Sequence, residues 1–106
     1  MNKDEYFKFH NEFTEQMFNI SKSKNEDYTG KGDDPFANFT RVEMLGICNT
    51  EQGFLTRMSD KMARLASFVQ KGTLQVKDES VKDSLQDLAN YCILMAAYLE
   101  SKKNDK

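Results

Sequence analysis

The sequence predicts an all-α protein, a bundle of about four helices in a single domain spanning residues 1–106. Three observations carry this. Apolar residues recur at spacings of three and four along most of the chain, which is the period of an amphipathic helix and not of a strand. One Pro and five Gly are too few breakers for a protein of many short strands. Two segments, Asn2 with Glu5 and Asn49 with Gln52, carry the spacing of a helix capping box.

The first helix starts at the Asn2–Glu5 signal, and Tyr6, Phe9, Phe13, Met17 and Ile20 form its apolar face. Phe7 and Phe18 share a second face, rotated about 100° from the first. Two aromatic faces call for two packing partners, one of them from another subunit. Gly30, Gly32 and Pro35 then make a loop. A short helix is expected from Phe39 to Ile47, and the next from the Asn49 cap to about Gln70, with Gly72 as its stop. Phe54, Leu55, Met58, Met62, Leu65 and Val69 are its expected inner stripe. The last helix is expected from Glu79 to Ser101, N-capped by Asp78, with Val81, Leu85, Leu88 and Cys92 facing inward. Its second half, C-I-L-M-A-A-Y-L, is apolar nearly all round and predicts burial on most sides. A chain of 106 residues has difficulty covering such a helix alone, so a homo-oligomer is expected.

The 15 basic residues against 17 acidic ones lack the positive excess that drives duplex nucleic-acid binding. The longest apolar run, Tyr91 to Leu99, is too short for a membrane span, which needs about 20 residues. Cys48 and Cys92 show no paired spacing, and a reduced, cytoplasmic setting is the simplest expectation. No phosphate loop, dinucleotide fingerprint or zinc-helix motif is present. The single His10 reads as an ordinary helix-flank residue.

The chemistry-bearing residues are acidic and helical. Glu79, Asp83 and Asp87 recur every four residues, and each step drifts only ~40° around the helix. Such a strip can share a hard divalent cation, Mg²⁺ best, with Mn²⁺ also possible, or it can be a solvated acidic face. On the preceding helix Arg57, Asp60, Lys61 and Arg64 fall within one sector. They form either a surface ion-pair network or a polyphosphate cradle, with Asp60 on the metal and the three cations on phosphate oxygens. In the loop, Lys24 can reach a phosphate, Tyr28, Phe36 and Phe39 can stack on a base, and Asn38 can read its edge. Alternatively the aromatics plug the end of the bundle.

Four segments together resemble a known family: K-N-E-D-Y, D-P-F-A-N-F, G-F-L-T-R-M-S-D-K-M-A-R-L and D-E-S-V-K-D-S-L-Q-D-L-A-N-Y. They are similar to the nucleotide-modification-associated proteins common in bacteriophages, which are related to the MazG-like all-α nucleoside triphosphate pyrophosphohydrolases. The resemblance covers roughly residues 20 to 100, and the last two segments are its most specific part. It implies a helical bundle assembling as a dimer or tetramer in the host cytosol. It also implies Mg²⁺ held by carboxylates of two neighbouring helices, and cleavage of a nucleoside triphosphate to the monophosphate and pyrophosphate. On this chain Asp60, Glu79 and Asp83 would hold the metal, and Glu79, Asp83 and Asp87 would serve catalysis. The family offers two glutamates one turn apart where this chain has Asp60 beside Lys61, flanked by Arg57 and Arg64. That departure leaves a second expectation beside hydrolysis: a protein that binds a nucleotide or a cyclic oligonucleotide without cleaving it, a sponge acting against host defence.

Overall fold

In a computed structural model the chain forms α1 (Lys3–Thr29), α2 (Ala37–Met44), α3 (Thr50–Lys71) and α4 (Val81–Lys103). The structure describes residues 1–29, 32–74 and 79–103, the side chains of 26–29 excepted. No strand occurs among the described residues. The chain divides into two compact units, residues 1–35 and 36–106.

The first unit is built on α1. Asn2 caps it, its Oδ1 accepting from the Glu5 amide at 2.9 Å. Tyr6, Phe7, Phe9, Phe18 and Ile20 are exposed. Neighbouring rings contact one another along the helix, Tyr6 with Phe7 at 5.3 Å and Phe9 with Phe13 at 5.5 Å between centroids. Asn25 donates its side-chain amide to the Pro35 carbonyl at 2.9 Å.

In the second unit α2 ends earlier than the apolar pattern suggested. Gly46 adopts a left-handed φ of 75° and donates to the Glu43 carbonyl, while Ile47 donates to the Val42 carbonyl. This paired bonding is the Schellman stop, and it satisfies carbonyls that the helix end would leave open. Helix α3 keeps its expected ends. Asn49 and Gln52 form the reciprocal capping box, and Gly72 closes the helix with a φ of 77°. Helix α4 starts at Val81 and not at Glu79. Ser80 Oγ accepts from the Asp83 amide at 3.1 Å, and Asp83 Oδ2 accepts from the Ser80 amide at 3.3 Å. Ser80 therefore caps the helix; the expected cap, Asp78, lies outside the described residues.

An aromatic cluster joins the three helices. Phe39 of α2 stacks on Phe54 of α3 with 4.0 Å between centroids, and meets Tyr91 of α4 edge-on. Phe36 packs edge-on against Tyr98, which also touches Phe54. Gly53 permits the close approach of α2, because a Cβ there would sit 3.0 Å from Val42 Cγ2. Thr50, fully buried, donates its hydroxyl to Glu43 at 2.8 Å and fixes the turn between α2 and α3. Helices α3 and α4 run antiparallel: Glu51 at the start of one pairs with Lys102 at the end of the other at 2.8 Å.

The expected inner stripes need correction. On α3, Leu55, Met62 and Val69 are exposed; on α4, Leu85 and Cys92 are exposed as well. The stripes are wider than the contact between two helices, so only the residues nearest the neighbouring axis are covered. The second half of α4 likewise leaves Ile93 and Leu99 exposed.

Candidate functional site

The antiparallel pairing brings the mixed strip of α3 against the acidic strip of α4. Lys61 sits between two carboxylates, its Nζ 2.9 Å from Glu79 Oε1 and 2.9 Å from Asp87 Oδ2. Arg64, one turn further along, donates Nη1–H to Glu79 Oε2, and its Nε lies 3.3 Å from Asp60 Oδ2. The Ser84 hydroxyl, fully buried on the first turn of α4, donates to Glu79 Oε1 at 2.8 Å. Glu79 thus receives a lysine, an arginine and a serine.

Local folding explains why these groups meet. Residues 61 and 64 are three apart and lie on adjoining rows of α3. The Ser80 cap turns the chain into α4 immediately after Glu79 and leaves that side chain pointing back over α3. The side chains of Lys61, Glu79 and Asp87 are only 12–15% exposed, so their charges act through a medium less screened than bulk water. Burial by itself would lower the Lys61 pKa, but the bonds from Glu79 and Asp87 and their charges outweigh it and hold the ammonium above its ordinary 10.5. Burial pushes Glu79 up; its bonds from Lys61 and Ser84, with the charges of Lys61 and Arg64, outweigh that and hold its carboxyl below 4.5.

The remaining sequence-derived residues fall as follows. Asp60 is largely exposed and is turned toward Arg64, not toward Asp83. Asp83 is exposed and engaged in the helix cap. Asp60, Glu79 and Asp83 are therefore not gathered on one point. Among the described residues no three His, Cys, Asp or Glu side chains are grouped to hold a metal ion. The two carboxylates that do converge, Glu79 and Asp87, converge on an ammonium. Arg57 is exposed on α3, and Asn38 is half-buried on α2. Phe39, a stacking candidate from the sequence, is buried against Phe54, and Phe36 packs on Tyr98. Lys24 belongs to the first unit, and the Tyr28 side chain lies outside the described residues.

Sequence reasoning missed Ser84 and Ser80. The first was legible as a small polar residue on the side of α4 shared with Tyr91 and Tyr98, seven and fourteen residues on. The second was legible as Ser three residues before Asp, a capping spacing eclipsed by the metal reading of Asp83.

Comparison with known proteins bears on the same two helices. No curated protein and no solved structure matches the chain. A family model described as nucleotide modification associated domain 1 matches residues 51–99, the stretch from the first turn of α3 to the last turns of α4 that contains the whole Lys61–Arg64–Glu79–Asp87 cluster.

Proposed function

We propose that the chain binds the phosphate groups of a nucleotide at the α3–α4 seam and does so without a metal ion. The observation that carries this reading is the placement of Lys61 and Arg64. Both are held on the seam by Glu79, in the segment that matches the nucleotide-modification family. A cation already fixed in position loses little entropy on meeting a phosphate. Arg64 has five N–H donors, and its bonds to Asp60 and Glu79 use two of them. Arg57, exposed on the same side of α3, adds a further planar guanidinium, whose forked donors suit phosphate oxygens.

The charges also say which contact gives way. Lys61 and Arg64 face Asp60, Glu79 and Asp87, so an arriving anion competes with a carboxylate. Asp60 is 59% exposed and returns to water at little cost, whereas Glu79 is nearly covered and accepts from Lys61, Arg64 and Ser84. Phosphate replaces Asp60 on Arg64, and Glu79 stays.

The test is titration of a nucleotide panel against three variants. Arg64→Ala and Arg57→Ala are expected to weaken affinity about tenfold or more, since a charge-assisted bond contributes about 1.5–3 kcal/mol. Asp60→Asn is expected to tighten binding, because it removes the competitor. Absence of affinity for every phosphorylated ligand, or weaker binding in Asp60→Asn, overturns the reading.

A second reading is Mg²⁺-dependent hydrolysis of a nucleoside triphosphate, with water adding to give the monophosphate and pyrophosphate. Its support is that Glu79 and Asp87 aim at one point, the convergence a cation needs. It requires Lys61 to leave that point. Pyrophosphate release that depends on Mg²⁺ and is lost in Glu79→Gln would establish it over the first. The setting of a phage protein in the host cytosol rests on the resemblance alone.

A further inference from the structure

The α3–α4 seam holds many charges and leaves few of them to a ligand. At its covered centre two cations, Lys61 and Arg64, meet two carboxylates, Glu79 and Asp87, and their charges cancel. Lys61 is nearly covered between its two carboxylates, so a phosphate reaches it only by expelling one of them. Glu79 is held from a third side by the fully buried Ser84. Among the described residues the carboxylate that meets these cations while largely in water is Asp60, beside Nε of Arg64.

Asp60 marks a place of limited size. Arg64 already donates Nη1–H to Glu79, and its Nε lies 3.3 Å from Asp60 Oδ2. When Asp60 turns to water, Nε–H and the adjacent Nη2–H form a fork that matches two oxygens on one phosphorus. Arg57 stands one turn before Asp60 on α3, a neighbouring position from which it can reach the same group. The next cation beyond Arg64 on α3 is Lys71, eleven residues from Asp60 and about 16 Å along the axis. With the centre neutral and Asp60 in water, the place carries one net positive charge, that of Arg57. A phosphodiester brings one negative charge, and a monoester brings about 1.5–2 at pH 7. A triphosphate without metal brings several, and the carboxylates nearest the seam centre, Glu79 and Asp87, repel the excess.

We propose that the seam takes a single phosphate group, seated in the place of the Asp60 carboxylate between Arg57 and Arg64, and that its ligand class is the nucleotide with one phosphate. This rests on the phosphate-binding reading and adds to it the kind of nucleotide. Any further phosphates stay in water and add nothing to affinity.

The experiment is calorimetry of the full chain in chelator with one nucleoside as its 5′-monophosphate, 5′-diphosphate, 5′-triphosphate and 3′,5′-cyclic phosphate. The three 5′-phosphates are expected to have dissociation constants within about threefold of one another, since phosphates left in water meet only screened charges. The tighter of the monophosphate and the cyclic phosphate names monoester or diester as the source. In the bound triphosphate one ³¹P resonance is expected to shift. Asp60→Asn is expected to tighten monophosphate and triphosphate by the same factor within about twofold, because one group replaces Asp60 in both. Affinity that climbs about tenfold or more with each added phosphate, as a row of separate charge-assisted bonds would give, overturns the single-phosphate assignment and leaves phosphate binding intact. So does a shift of all three ³¹P resonances, or an Asp60→Asn gain confined to the triphosphate. No affinity for any of the four ligands overturns phosphate binding at the seam and this assignment with it.

Discussion

Lys61 and Met62 are neighbours in the chain and belong to different surfaces. One step along α3 turns about 100°. On one edge of the hairpin it meets Glu79 and Asp87; on the other it meets solvent. The ionic edge is satisfied within the single chain, each charge facing an opposite one. The apolar edge is not. Charged groups turn toward a partner inside the chain because leaving a half-covered charge unpaired is costly, whereas single exposed apolar groups are tolerated in water.

The largest expected effect that would break this contrast comes from the ionic edge. Lys61→Ala leaves Glu79 and Asp87 facing each other without their shared cation, and is expected to cost about 2–3 kcal/mol in denaturant unfolding. Met62→Ala, one residue away, is expected to leave single-chain stability within ~0.5 kcal/mol. Equal costs for the two would show that the edges do not differ as described.

Gly53→Val tests the packing that sets the seam's frame. The added side chain meets Val42 at 3.0 Å or closer, and a cost of about 1–3 kcal/mol in thermal unfolding is expected. Ser80→Ala removes the cap that turns Glu79 back over α3, with an expected cost of about 1 kcal/mol. The Glu51–Lys102 pair is exposed, and Lys102→Ala is expected to leave the melting temperature unchanged within error.

Acidity sharpens the same comparison. Glu79 has its carboxyl held below 4.5, so its contribution is complete above that value and is lost as pH falls through the lower, folded value. Lys61 has its ammonium held above 10.5, so its contribution is complete below that value and is lost as pH rises through the higher, folded one. Stability from the pair is therefore flat between those limits. Glu79→Gln should flatten the acid limb of a stability–pH curve, and Met62→Ala should leave it unchanged.

Much of the fold was legible in the sequence. The Asn49–Gln52 box and Gly72 set the ends of α3, because caps are local chemistry. The end of α2 was not legible from periodicity, since the Schellman stop at Gly46 depends on a backbone conformation inside an apolar run. The candidate site was half legible. Spacing placed Arg57, Lys61 and Arg64 on one strip and Glu79, Asp83 and Asp87 on another, and the structure brings Lys61, Arg64, Glu79 and Asp87 together. Spacing does not say which group faces which across two helices. A strip of acids looks the same whether its partner is a metal ion or a lysine. The inward stripes were over-read for a related reason: a heptad pattern marks a surface to be covered and does not name the chain that covers it.

The most direct measurement is titration calorimetry of the unaltered chain with a nucleoside triphosphate, in chelator and then in excess Mg²⁺. The phosphate-binding reading predicts the same dissociation constant in both and intact triphosphate afterwards. Binding that appears only with Mg²⁺, with pyrophosphate accumulating in the cell, would contradict it.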